Sequence, residues 1–272
     1  MMDVVQRALE EDIGPDDVTS QACIPADLEA HGEFIARESQ VVAGMELLPL
    51  IYDRCVLKKQ SGDKAVAGEV IATVAGSARC LLSRERVALN FLQRLGGVAT
   101  LAAKYVEQVA GTSCRVLDTR KTTPGLRRLE KMAAAAGGVT NHRMGLYDAI
   151  LIKNNHIEAA GGVRKAIEAA RAASSLPIEI EVRTRPELIE ALDAGAPHLL
   201  LDNFTPAEAA DLVRVIAGRA KVEISGGITL SNVRAYAQTG ADFVSAGAIT
   251  HSAPAVDLSF RLHLCSSVSI CG

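Results

Sequence analysis

The sequence predicts an α/β protein in which a parallel β/α barrel follows a smaller N-terminal α+β unit. Two observations carry the barrel. After Gly111, short apolar runs alternate with amphipathic helical stretches over roughly 140 residues, the pattern of strand and crossover helix repeating along a parallel sheet. No GxGxxG follows the first of these runs, which argues against an open dinucleotide-binding sheet and for a closed arrangement. A third observation, the different texture before Gly111, sets the N-terminal part aside as its own unit.

In chain order, Asp3 to Glu11 places Val4, Val5, Ala8 and Leu9 on one side of a helix, which stops at the turn cluster 12–17. Residues 33–42 alternate loosely as a strand and lead into a short helix at Leu47 to Ile51. Residues 61–74 read as short strands joined by glycine turns. This run also resembles the hammerhead of biotinyl and lipoyl carriers. The modifiable lysine is missing, however, since none occurs between Lys64 and Lys104. From Ser83 the pattern is strongly helical, and Gly96-Gly97 predicts two consecutive helices with a break there.

Six apolar runs follow: 114–117, 149–152, 178–180, 198–201, 222–224 and 243–246. Pro186 and Pro206 fit first-turn helical positions, Thr205 and Ser231 fit N-caps, and Gly195, Gly218 and Gly240 fit helix ends. Six strands where a full barrel has eight leave either an incomplete barrel or two unrecognised strands.

In such a barrel the C-terminal strand ends converge on one mouth, bringing together Arg120, Lys153, Glu181, Asp202, Ser225 and Gly247. The segment Asp118 to His156 concentrates cations where apolar runs end: Arg120, Lys121, His142, Arg143 and Lys153. A lone arginine or lysine at a strand end ordinarily caps or pairs on the surface; a cluster of them suits an anionic ligand. The turns at Ser225-Gly226-Gly227 and Gly247-Ala248 sit where barrels bind phosphate through backbone N–H groups, although tight strand-to-helix turns need glycine for their own sake. Glu181 and Asp202 suit Mg²⁺ or ribose hydroxyls, so a phosphorylated sugar fits both halves of the mouth. An aldolase-type Lys153 would need a lowered pKa, which those two carboxylates oppose.

Composition narrows the classes further. With 29 basic and 32 acidic residues and a net charge of −3, no nucleic-acid footprint or polybasic membrane face stands out, and aromatic residues for base stacking amount to only 3%. Cys23, Cys55, Cys80, Cys114, Cys265 and Cys271 form no CxxC pair and read as free thiols of a reducing compartment. No apolar run reaches 18 residues and the N-terminus is acidic, so the expectation is a cytoplasmic protein.

At nearly full length the chain resembles the quinolinate phosphoribosyltransferases, also called carboxylating nicotinate-nucleotide pyrophosphorylases. The resemblance rests on EDIGPDDVTS (11–20), ERVALNFLQRLGGVAT (85–100), DTRKTTPGLR (118–127), NHRMGLYDAILIKNNHI (141–157), IEIEV (178–182), LLLDNF (199–204), EISGGI (223–228) and GAITHS (247–252). It implies an N-terminal α/β sandwich over residues 1–97, joined by the tail 255–272, and an incomplete barrel over 98–254. It implies transfer of phosphoribose from phosphoribosyl pyrophosphate to quinolinate with loss of CO₂ and pyrophosphate, giving nicotinate mononucleotide for NAD synthesis with Mg²⁺.

By motif, Arg120, His142 and Arg143 would bind the two carboxylates, and Arg86 would complete that pocket from the partner subunit of a homodimer, or of a higher oligomer, with shared active sites. Lys121 and Lys153 would meet phosphate and pyrophosphate oxygens. Glu181 and Asp202 would meet ribose hydroxyls and metal, directly or indirectly, and Glu181, Asp202 and Lys153 would be the catalytic set. Ser225, Gly226, Gly227, Gly247 and Ala248 would hold the 5′-phosphate. The chain departs from the family's pattern at Val139, where a third glycine is usual, and at Asn154, where an acidic residue is common. Two alternatives stand beside this reading: a molybdenum-associated relative with another acceptor, which an intact Arg86, Arg120, His142 and Arg143 set argues against, and a non-catalytic phosphoribosyl-ligand sensor, which the two acidic strand ends argue against.

Overall fold

A computed structural model describes residues 1–264. The chain divides into two compact units: the first takes residues 1–103, 123–138 and the C-terminal segment from Ala253, and the second takes 104–122 and 139–252.

The first unit opens with helices α1 (Met2–Ile13) and α2 (Val18–Cys23). Asp17 caps α2 by accepting from Ser20 N at 2.9 Å, satisfying one of the donors a helix start leaves open. Strands β1 (Glu29–Ala36), β2 (Gln40–Val41), β3 (Arg54–Leu57), β4 (Lys64–Ala65) and β5 (Val70–Ser77) follow, with the short helix α3 (Leu48–Ile51) between β2 and β3. Phe34, Ala36, Ile71 and Ala72 are buried along the inner face of β1 and β5. The last described strand of the chain, β12 (Leu258–Leu264), completes an antiparallel sheet of order β12-β1-β5-β3, while β2 and β4 pair separately. Residues 265–272 of the expected tail, with Cys265 and Cys271, lie outside the described residues.

One helix, α4 (Ala78–Gln108), runs unbroken through Gly96-Gly97, correcting the expected break. The glycines are there for approach. A Cβ on Gly97 would stand 2.0 Å from Pro254 O, and one on Gly96 would stand 2.8 Å from Val256 Cγ2. Propensity argued for a break, and packing of the returning chain overrides it. Helix α5 (Arg127–Ala136), which belongs to this first unit, is anchored by fully buried Glu130. Its carboxylate accepts from Arg94 Nε and Nη2 at 3.0 and 2.8 Å and from Thr123 N and Oγ1 at 3.0 and 2.6 Å. Removing one partner of such a buried pair costs about 3–5 kcal/mol, because the other charge is stranded.

The second unit is one parallel sheet of β6 (Arg115–Leu117), β7 (Ile150–Ile152), β8 (Ile178–Val182), β9 (His198–Asp202), β10 (Lys221–Ser225) and β11 (Phe243–Ser245). Its order is β6-β11-β10-β9-β8-β7, so the first strand pairs with the last and the sheet ends at β6 and β7. All six expected strands are present, and among the described residues no further strand joins them; the barrel is incomplete. Helices α6 (Asn154–Ala160), α7 (Val163–Ala173), α8 (Arg185–Asp193), α9 (Pro206–Ile216), α10 (Val233–Ala237) and α11 (Ala248–His251) follow the strands. Thr205 caps α9 in a capping box with Glu208, and Pro206 opens the helix. Ser231 is not a cap: Asn232 holds that position in α10, its Oδ1 accepting from Thr229 N at 2.7 Å.

Candidate functional site

Inward residues of a strand recur at every second position, so Glu179 and Glu181, Leu200 and Asp202, and Glu223 and Ser225 point into the barrel as successive layers. At the C-terminal strand ends all of them but Glu179 line a cavity of about 440 Å³, together with Asp118, Arg120, Lys121, His142, Arg143, Lys153, Arg183 and Ser245. The expected residues Arg120, Lys121, His142, Arg143, Lys153, Glu181, Asp202 and Ser225 thus share one pocket. Arg86 does not line it; the residue lies exposed on α4 in the first unit.

Two guanidiniums mark one side. Arg143, half-buried, donates from Nη1 to Ala149 O at 3.0 Å. Burial and then the like charge of Arg120 push its pKa down from the usual value. Facing cations of this kind are relieved by an anion between them, and a carboxylate fits a guanidinium in two parallel hydrogen bonds.

His142 is held on both ring nitrogens. Its backbone N donates to Asp118 Oδ1 at 2.8 Å, Arg143 N donates to its Nδ1 at 2.7 Å, and its Nε2 lies 3.0 Å from Glu179 Oε2 and 3.4 Å from Glu223 Oε2. Burial disfavours a charged ring, but hydrogen bonds to Glu179 and Glu223 outweigh it and pull the pKa up to about 10. That pull toward imidazolium conflicts with the N–H aimed at Nδ1. The short contact needs a lone pair there and decides for a neutral ring carrying its proton on Nε2. Glu223, almost fully buried, has its pKa raised by burial and then by Glu179; burial also acts to raise Glu179, but His142 and His198 outweigh it and lower that carboxyl. The His142, Glu179 and Glu223 ligand atoms lie within 4.8 Å of one another, close enough for a metal ion.

In the same pocket, Arg183 Nη2 donates to Glu181 Oε1 at 2.8 Å, and its Nε lies 3.7 Å from Asp202 Oδ2. Sequence reasoning missed Arg183. It also missed Glu179 and Glu223, although the two-residue spacing from Glu181 and Ser225 places them one layer deeper. Asn203 Nδ2 donates to Asp202 Oδ2 at 2.8 Å.

The two glycine turns differ in kind. Gly226 and Gly227 take φ of +99° and +61°, which side chains resist, and a Cβ on Gly226 would lie 2.2 Å from Asn203 Oδ1. Gly247 has an ordinary helical φ of −65° and precedes Ala248 at the start of α11.

With this geometry, comparison with known proteins is specific. Residues 17–96 match the N-terminal domain and residues 98–261 the C-terminal domain of quinolinate phosphoribosyl transferase. The chain is 41% identical over 262 residues to the probable nicotinate-nucleotide pyrophosphorylase [carboxylating] of Bacillus subtilis, covering 93% of this chain and 90% of that one. It is 39% identical over 274 residues to the nicotinate-nucleotide pyrophosphorylase [carboxylating] of Mycobacterium leprae, covering 96% of each. Among solved structures, the nicotinate-nucleotide pyrophosphorylase of Francisella tularensis superposes with a TM-score of 0.93 at 36% identity, over 96% of this chain and 95% of that one. Both domains, in the same order and over nearly the whole length, place the chain in the quinolinate phosphoribosyl transferase family.

Proposed function

We infer that this chain transfers phosphoribose from phosphoribosyl pyrophosphate to quinolinate with decarboxylation, giving nicotinate mononucleotide, CO₂ and pyrophosphate in NAD biosynthesis. The observation that carries this reading is the juxtaposition of Arg120 and Arg143 on one wall of a pocket whose other wall presents Glu181 and Asp202. A diacid satisfies the first wall, and a ribose ring developing positive charge satisfies the second.

Arg120 and Arg143 bind the quinolinate carboxylates. His142, with both ring nitrogens engaged inside the barrel, shapes the floor beneath them. Lys121 and Lys153 meet phosphate and pyrophosphate oxygens, and the turns at Ser225 to Gly227 and Gly247-Ala248 take the 5′-phosphate through backbone N–H groups. As pyrophosphate leaves, the carboxylate of Glu181 stabilises the positive charge growing on the ribose. As CO₂ departs its bonding pair stays on C2, where the adjacent positively charged, ribosylated nitrogen stabilises it until C2 takes up a proton from water, so the step needs no organic cofactor.

Mg²⁺ suits the carboxylate oxygens of Glu181 and Asp202, which are hard ligands. Arg183 bonds Glu181 and flanks Asp202, so these carboxylates would share their oxygens between that guanidinium and the ion. Bound there, it neutralises diphosphate charge. Arg86 completes the neighbouring pocket in a homodimer; it is exposed on α4 and is not among the residues that line this chain's own pocket, which supports that assignment. Among the described residues no helix is long and apolar enough to cross a membrane, which agrees with the proposed cytoplasmic setting.

Acceptor competition tests the reading. Quinolinate should be consumed and nicotinate left, and Arg120→Leu should abolish quinolinate turnover; preference for a monoacid would overturn it. For the shared site, mixing inactive Arg86→Ala with inactive Lys153→Ala should restore partial activity once subunits exchange, and no recovery would refute it.

A further inference from the structure

We infer that Thr250 and Gly247 are positioning residues that hold Lys121 across the turn following β11, where it meets the anionic half of the substrate; the inference rests on the phosphoribosyl-transfer reading. Thr250 is fully buried, and its Oγ1 donates to Lys121 O at 2.7 Å while lying 3.2 Å from Gly247 O. One hydroxyl therefore ties together the loops that leave two neighbouring strands. Those strands are already in register, Leu117 opposite Ser245, with Ala246 N donating to Leu117 O at 3.2 Å.

Gly247 supplies the second half of the argument. Its φ of −65° and ψ of −26° are open to any residue, so backbone conformation gives no reason for glycine here. A Cβ at this position would stand 2.8 Å from Lys121 Cδ, and 3.1 Å from His251 Cδ2. The missing side chain leaves a groove for the lysine stem. Lys121 itself is exposed, and its backbone N donates to Thr119 Oγ1 at 3.1 Å, so its main chain is fixed at both N–H and C=O while the ammonium stays at the mouth. A long flexible side chain led along a groove has less freedom to lose when it meets an anion.

The test is a double-mutant cycle on the full chain, with inorganic pyrophosphate binding by calorimetry and KM for phosphoribosyl pyrophosphate as readouts. Gly247→Ala should weaken each about tenfold in the unmodified background and change neither further in Lys121→Ala. Thr250→Val should do the same, and Thr250→Ser should restore binding, while KM for quinolinate stays within about twofold throughout. Full multiplication of the Gly247→Ala and Lys121→Ala effects would overturn the inference, as would Gly247→Ala without effect or Thr250→Ser no better than Thr250→Val. Pyrophosphate binding needs no turnover, so a wrong acceptor reading would show separately, as absence of product from the unmodified chain.

Discussion

Asp118 and His142 are 24 residues apart in sequence, yet the backbone N of His142 donates to Asp118 Oδ1 at 2.8 Å, with Asp118 fully buried. This bond fixes where the segment carrying His142 and Arg143 enters the pocket, beside the loop after β6 that carries Arg120. Asp118→Ala should lower stability by about 2 kcal/mol, since it strands a donor paired to a carboxylate. It should also raise KM for quinolinate more than KM for phosphoribosyl pyrophosphate. Thermal unfolding and two-substrate kinetics check both parts; an unchanged quinolinate KM would separate Asp118 from the diacid wall.

Arg183 occupies the space between Glu181 and Asp202. Arg183→Ala removes a cation from that pair, so Mg²⁺ alone should bind the unliganded protein more tightly, by about fivefold. Calorimetric titration with Mg²⁺ measures this. Unchanged affinity would mean that the two carboxylates do not see the ion.

The barrel was legible in the sequence because each strand is a short apolar run closed by a polar or small residue, and the pocket presents several of those closing residues, Asp118, Lys153, Glu181 and Asp202, with Arg120 just beyond the first. The deeper layer was not legible. Glu179 and Glu223 lie inside apolar runs, where a carboxylate contradicts burial unless His142 is known to reach it from a distant segment. Likewise Gly96-Gly97 reads as a helix break until the returning chain at Pro254 and Val256 is in place. Long-range contacts decide both cases, and neither propensity nor periodicity encodes them.

Cys114 is buried, and burial, followed by the charge of Asp242, pushes its thiol pKa up to about 12. The folded chain thus holds this proton more tightly than the unfolded one. Its contribution to stability is complete below the ordinary value of 9.0 and is lost as pH rises from there toward about 12. At pH 8, alkylation followed by mass spectrometry should modify exposed Cys23 rapidly and leave Cys114 intact until the protein unfolds.

Asp17 behaves in the opposite sense. Hydrogen bonds from the Ser20 side chain, then the Ser20 backbone, then Ser83 hold its carboxyl down to about 2. A depressed pKa contributes stability that is present above the ordinary 3.8 and lost as pH falls toward about 2. The midpoint advantage of the unmodified protein over Asp17→Asn should therefore be constant above pH 5 and vanish near pH 2 in a thermal series.

The central claim is that a diacid loses one carboxylate in the same site where it gains phosphoribose. The direct measurement is incubation of the protein with quinolinate labelled in its 2-carboxyl carbon, phosphoribosyl pyrophosphate and Mg²⁺, counting all three products. The account predicts labelled CO₂, pyrophosphate and nicotinate mononucleotide in equal amounts. Bound quinolinate with none of the three products would contradict it.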